Sequence, residues 1–253
     1  QGTPSAEYLV LGHSLGTSAA LWDPALALLG EKFTVIRWEL PGHGEAARAT
    51  ARFEIQDLSE DIVDHMSSIG VTQFRYAGVS IGATVGLDLA LRHAEVVRSA
   101  AVISTGASVD SPDAWRERAA LVRTRGIAAI SEGTAERWFS AATRKSAPNV
   151  VDHLIDVLNA TDGDSYAYAC EAIADYDVRA RLGDVQVPIL AMWGDADRLV
   201  PEARSVEIAQ GVQRGTVRRI VGAAHASPSE QPVDVARSLI EFFASDGDDH
   251  GER

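Results

Sequence analysis

Apolar and polar positions along the chain follow two rhythms that take turns. Stretches at 8–11, 33–38, 74–79, 96–104, 187–193 and 216–221, most of them rich in apolar residues, read as strands. Between them the period lengthens. Ile55, Leu58, Ile62, Met66 and Ile69 recur at steps of three and four, an amphipathic helix that Gly70 closes. Further helices are expected at 24–29, 81–91, 202–210 and 233–244. Strand alternating with helix predicts an α/β fold, a mostly parallel sheet with helices on both faces.

From 111 to 181 the alternation stops. Helical patterning there is broken at Gly126, Gly133, Pro148 and Gly163, and no strand stands out, so the stretch reads as an inserted helical cap. The core is then 1–110 together with 182–245, and the acidic tail 246–253 is expected to be disordered. No internal repeat or low-complexity segment interrupts this layout. The chain opens on Gln1 rather than methionine and enters a strand almost at once, which reads as a fragment or a record lacking its first residues.

Composition narrows the function classes. The 253 residues are 46% hydrophobic and 23% charged, as in a soluble globular chain, with no signal-peptide pattern and no apolar run of the ~18 residues a membrane helix requires. A formal net charge of −13 argues against a nucleic-acid surface. It would also repel an anionic substrate at long range. Such a substrate requires a local arginine acting within the ~8 Å Debye length. Cys170 is the single cysteine, which excludes an internal disulfide, fits a reducing compartment and gives the cytoplasm as the expected location. A small buried apolar role suits Cys170 better than a reactive thiol.

The chemistry centres on Gly78-Val79-Ser80-Ile81-Gly82, the G-x-S-x-G pattern, with a strand before it and a helix after it. Glycines on both sides let strand and helix approach closely while Ser80 takes a strained conformation that lifts its hydroxyl above the sheet. The free N–H groups at the helix start favour negative charge there. The bland alternative for Ser80 is an ordinary helix N-cap.

Two later strands end in Gly194-Asp195-Ala196-Asp197 and Gly222-Ala223-Ala224-His225, at the strand ends where α/β sheets bind ligands. A serine hydroxyl needs a base to take its proton and an acid to orient that base, and Ser80, His225 and Asp197 supply the set in the order Ser, Asp, His. Asp195 competes with Asp197; the spacing from Gly194 favours Asp197 and leaves Asp195 as a solvated turn residue. Among the other histidines, His65 and His93 fall in helices, His153 in the cap and His250 in the tail, while His13 and His43 lie in loops and are expected to bond backbone groups around the site. No His, Cys or carboxylate cluster has metal-ligand spacing, and no glycine turn carries the Lys-Ser/Thr of a phosphate loop, so neither metal nor cofactor is expected.

With these segments on view, the chain resembles the α/β-hydrolases along nearly its whole length, through Gly12-His13-Ser14-Leu15-Gly16, Pro41-Gly42-His43-Gly44, the elbow at Ser80, Gly194-x-x-Asp197 and His225. Within them it is similar to 3-oxoadipate enol-lactonases. That narrower resemblance rests on His13–Thr17, Glu136-Arg137-Trp138-Phe139, Ser165–Ile173 with Asp175–Arg181, and Ala224-His225 leading to Glu230-Gln231-Pro232. Ser14 stands where most of the superfamily has glycine, and Val79 and Ile81 replace the usual Leu and Met of the elbow. Such enzymes carry a β-hairpin ahead of the first strand. This chain starts too late to supply it in full, so either residues precede Gln1 or the sheet edge is covered otherwise.

The resemblance implies a serine hydrolase that opens 3-oxoadipate enol-lactone to 3-oxoadipate in aromatic catabolism, the β-ketoadipate pathway. Backbone N–H groups of Leu15 and Ile81 would hold the oxyanion. The partner is then a small anionic lactone, with no nucleic acid and no membrane. Trp138 has two readings, lining the pocket or packing the cap on the sheet, and the sequence leaves both open. A cation for the substrate carboxylate is expected from the cap, among Arg116, Arg118, Arg123, Arg125, Arg137, Arg144, Lys145 and Arg179. The alternatives are a carboxylesterase, a C–C hydrolase or a perhydrolase on the same scaffold, and a ligand receptor that kept the fold without turnover.

Overall fold

A computed structural model describes residues 7–245. The tail 246–253 and residues 1–6 lie outside the described residues. Strand β1 (Glu7–Gly12) leads through a 3₁₀ turn at Ala19–Ala25 into α1 (Leu26–Gly30) and then β2 (Phe33–Arg37). α2 (Ile55–Ser68), β3 (Phe74–Val79), α3 (Ile81–Arg92) and β4 (Val97–Ile103) follow. After the inserted segment come β5 (Ile189–Gly194), a helix Glu202–Gly211, β6 (Gly215–Ile220), a short helix Ser227–Glu230 and the last helix Pro232–Ser245.

The six strands form one parallel sheet in the order β2-β1-β3-β4-β5-β6. The order reverses between β1 and β3. Connections leave these two strands in opposite directions, and the crevice this opens beyond their carboxyl ends is where such sheets bind ligands. Register puts Gly12 of β1 beside Gly78 of β3, so the loop after β1 and the elbow after β3 start side by side.

β5 is buried along its whole length, as its unbroken apolar run predicts for a strand covered on both faces, and so is β3, whose Arg75 is buried in an ion pair with Glu7. α3 is buried from Ile81 to Ala90. α2 is amphipathic and starts at a capping box between Glu54 and Asp57, but it ends at Ser68. Ile69, which the three-and-four spacing counted into the apolar stripe, is therefore 49% exposed. The helix expected at 24–29 is split, since Pro24 sits inside the 3₁₀ turn and the α-helix begins only at Leu26.

The inserted segment holds six helices: α4 (Pro112–Arg125), α5 (Ala128–Ser131), α6 (Thr134–Trp138), α7 (Ala141–Ser146), α8 (Pro148–Ala160) and α9 (Gly163–Asp175). In the same numbering the core helices that follow are α10 (Glu202–Gly211), α11 (Ser227–Glu230) and α12 (Pro232–Ser245). Gly126 and Gly133 have positive φ and separate α4, α5 and α6, while Pro148 opens α8. α4 and α9 pack together and are tied by Arg123–Glu171 and Arg116–Asp175. At the base of the cap, Ser108 and Asp177 form an antiparallel bridge and Val178 N–H donates to Ala107 C=O at 2.9 Å, so the chain leaves and re-enters the core at one place. No helix among the described residues is long and apolar enough to cross a membrane.

Candidate active site

Ser80 stands between β3 and α3 with φ 56° and ψ −119°, a conformation L-residues rarely adopt. Its N–H donates to Ile103 C=O of the neighbouring strand at 2.8 Å and its C=O accepts from Thr84 N–H at 2.8 Å, so backbone bonds hold the strained residue on both sides. The flanking glycines are there for space. A Cβ on Gly78 would lie 2.3 Å from Gly82 C=O, and one on Gly82 would lie 2.6 Å from His13 C=O.

The loop after β1 turns at Ser14–Thr17. Thr17 N–H donates to Ser14 C=O at 3.0 Å and Gly16 has φ 78°, the pattern of a type II turn whose second residue, Leu15, has an N–H outside the turn's own bond. Ile81 is the first residue of α3, and no described acceptor takes its N–H or that of Leu15. Gly82 N–H donates to His13 C=O at 3.2 Å, which couples the loop to the helix start. His13 is fully buried. Its Nε2 accepts from Leu40 N–H at 3.0 Å and Nδ1 donates to Ser14 C=O at 2.8 Å, while His43 Nδ1 donates to Pro41 C=O at 3.0 Å. Burial pushes His13 down to about 4; burial, and then the neighbouring His13, push His43 down to about 3. Both rings are thus neutral braces near neutral pH.

His225 Nδ1 and Asp197 Oδ2 are 3.0 Å apart, with both side chains almost wholly buried. The other Asp197 oxygen accepts from Leu199 N–H at 2.8 Å and Val200 N–H at 3.1 Å, which fixes the carboxylate plane. Burial works to raise the Asp197 pKa. The charge of His225 and the bonds from His225, Val200 and Leu199 outweigh it and hold the carboxyl below its ordinary range. Asp195 is exposed and accepts from Gly222 N–H at 2.7 Å, closing the turn without touching His225. Among the described residues no hydrogen bond joins the Ser80 hydroxyl to His225, whose ring bonds Asp197.

The histidine loop is also latched to the cap. Glu230 accepts from Ala224 N–H at 2.6 Å through Oε1 and from Ser140 N–H at 2.8 Å through Oε2, and Ala226 N–H donates to Trp138 C=O at 3.0 Å. Trp138 therefore sits at the seam between cap and core; its ring lies 3.3 Å from where a Gly16 Cβ would be, against the turn that carries Leu15.

A cavity of about 270 Å³ opens beside Ser80 and Ile81. Its aromatic lining is Trp115 and Tyr176 rather than Trp138, and its charged lining is Asp110 and Arg204, the cation coming from α10 rather than from the cap. Among the cap cations, Arg116, Arg123, Arg144 and Arg179 are paired with carboxylates, Arg137 bonds the C=O groups of Ile130 and Glu132, and Arg118 stacks over Trp115 and Tyr166. Ser104 and Ser108 also line the cavity, and sequence reading passed over them. The one signal for Ser104 was a polar residue at the carboxyl end of a strand; nothing local marked Ser108 or Arg204.

The family described as alpha/beta hydrolase fold matches residues 7–232. Among relatives, the chain is 30% identical over 224 residues to 3-oxoadipate enol-lactonase 2 of Acinetobacter baylyi, covering 88% of this chain and 84% of that one. It is 24% identical to an Agrobacterium fabrum protein carrying the provisional name carbamate hydrolase RutD, over 94% of this chain and 93% of the other. The crystal structure of the enol-lactonase from Burkholderia xenovorans LB400 superposes with a TM-score of 0.90 at 31% identity, covering 96% of this chain and 94% of that one.

Proposed function

The chain belongs to the alpha/beta hydrolase family, and from that premise we propose that it is a serine hydrolase that opens an enol-lactone ring, converting 3-oxoadipate enol-lactone to 3-oxoadipate. The observation that carries the reading is the meeting, at one edge of the sheet, of a strained serine, the free N–H groups of Leu15 and Ile81, and a buried His225–Asp197 pair. Similarity to enol-lactonases at about 30% identity supports the choice of substrate.

His225 keeps its hydrogen on Nδ1 toward Asp197, so Nε2 is left to act as base. Ser80 Oγ attacks the lactone carbonyl as its proton passes to Nε2, and the oxyanion is held by the N–H groups of Leu15 and Ile81 at the positive end of α3. The bond between carbonyl carbon and ring oxygen breaks. The departing enolate takes the proton from His225 and tautomerises to a ketone, which makes acylation hard to reverse. Water then gives a proton to His225 and attacks the acyl carbon; Ser80 leaves with that proton, and the free acid is released. Asp197, held below the ordinary carboxylate range, stays ionised and stabilises the imidazolium in both steps.

The experiment is a comparison of kcat/KM for the enol-lactone, a neutral lactone, a simple ester and a carbamate with one preparation of enzyme. The reading requires the enol-lactone to lead. Leadership by the carbamate would assign the site to the chemistry named for the second relative, and turnover of none would return the chain to the receptor class.

A further inference from the structure

Ser104 follows directly on β4, and with Ser80 it is one of two non-glycine residues with positive φ among the described residues (φ 52°). Ser104 is 0% exposed, and its hydroxyl has no hydrogen-bond partner. The Ser108 hydroxyl, also buried, has none either. Strain and an unpaired buried hydroxyl each cost stability, and where both meet in one residue a binding role accounts for their retention. Both serines line the cavity that Ser80 opens onto. The same cavity is walled by Arg204, whose side chain is four-fifths buried and pairs with Asp110 and, at 3.2 Å, with Glu207.

We propose that this cavity is a subsite for a carboxylate carried on the acyl chain, received by the Ser104 and Ser108 hydroxyls and by Arg204. The proposal deepens the serine-hydrolase reading and rests on Ser80 being the nucleophile. An acyl chain bonded to Ser80 Oγ extends into the space the nucleophile faces, and its far end meets these donors. Asp110 occupies Arg204 in the absence of substrate, but its side chain is 78% exposed and can turn to water when a substrate carboxylate arrives. Asp110 is thus a competitor built into the rim. Glu207 keeps its bond to Arg204 from within α10 and aims the guanidinium. This arrangement also gives an acidic protein a place for an anion, since Arg204 acts at hydrogen-bond range where the charge of the whole chain is screened.

The test uses two series of 4-nitrophenyl esters of matched length, one ending in a carboxylate and one in a methyl group. Wild type is expected to favour the carboxylate series. Arg204→Gln should lower the charged-to-neutral ratio of kcat/KM by about tenfold, and Ser104→Ala by about fivefold, as charge-assisted and neutral hydrogen bonds are lost. Asp110→Asn should raise the ratio by about threefold by freeing Arg204. Because Asp110 is on the surface, the test does not depend on how the Ser104 variant folds. Glutarate binding by calorimetry to wild type, Arg204→Gln and Asp110→Asn reads the same subsite without turnover. Ratios and glutarate affinity that stay unchanged in all variants, or that fall in Asp110→Asn, overturn the subsite. Failure to open the enol-lactone while these ratios move as stated overturns the substrate assignment and leaves the subsite standing.

Discussion

Ser80 is held at φ 56° by hydrogen bonds to Ile103 and Thr84, and a serine in that region costs on the order of 1–3 kcal/mol relative to an unstrained one. Ser80→Gly removes both the hydroxyl and the steric penalty. It should raise the unfolding midpoint in urea while abolishing turnover, and Ser80→Ala should lower kcat by ~10⁴ or more with the fold intact. Retention of a tenth of wild-type kcat by a pure Ser80→Ala sample would remove Ser80 from the mechanism. The two neighbouring aspartates separate as cleanly. Asp197→Asn leaves His225 without an ionised partner and should cost ~10⁴ in kcat, whereas Asp195→Asn replaces one turn acceptor with another and should cost less than about threefold. Equal losses would mean that the wrong carboxylate has been assigned to the histidine. These residues were legible in the sequence because each sits in its own short turn after its own strand. Ser104, Ser108 and Arg204 were not. They share a cavity only after β4, the segment beyond it and α10 have packed, and no local spacing marks that encounter.

Among the elements, the loop bearing His225 is not anchored by the core alone. Glu230 accepts two N–H bonds, one from beside the histidine and one from the start of α7, so the histidine's position follows that of the cap. Glu230→Gln leaves only one acceptor oxygen and turns an NH₂ toward a donor. It should cost about 1–3 kcal/mol locally, seen as faster amide exchange at both Ala224 and Ser140 and a lower kcat with little change in fold. If exchange rises at Ala224 but not at Ser140, the two elements are not coupled through this carboxylate. Strand and helix order followed from the apolar rhythm, and the helical breaks at Gly126, Gly133 and Pro148 fall where turn chemistry put them. Periodicity misled at Ile69, since the spacing continued one residue beyond the helix and the side chain points to water. It also could not see the split before α1, where Pro24 fits a 3₁₀ turn as well as a first helical turn.

For the molecule as a whole, His13 and His43 couple the site's frame to acidity. Their folded pKa values of about 4 and about 3 lie below the ordinary histidine value of 6.5. As pH falls below 6.5, the unfolded chain takes up protons that the folded one refuses, so stability is full above that value and is lost down to the folded pKa. Each histidine should remove on the order of 2 kcal/mol between pH 7 and pH 5, measured as the free energy of urea unfolding. A flat profile in that window would mean that these rings are protonated in the fold.

The bridge between Ser108 and Asp177 has a consequence for descent. Since the two ends of the cap meet as neighbouring residues, a sequence of almost any length can be spliced between them without disturbing the pairing of β4 with β5. The junction behaves as a socket. What is plugged into it can be exchanged, and with it the walls that α4 and α9 contribute to the cavity, without touching the elbow or the strand order, but the histidine loop must then find new partners for the bonds it makes to Ser140 and Trp138.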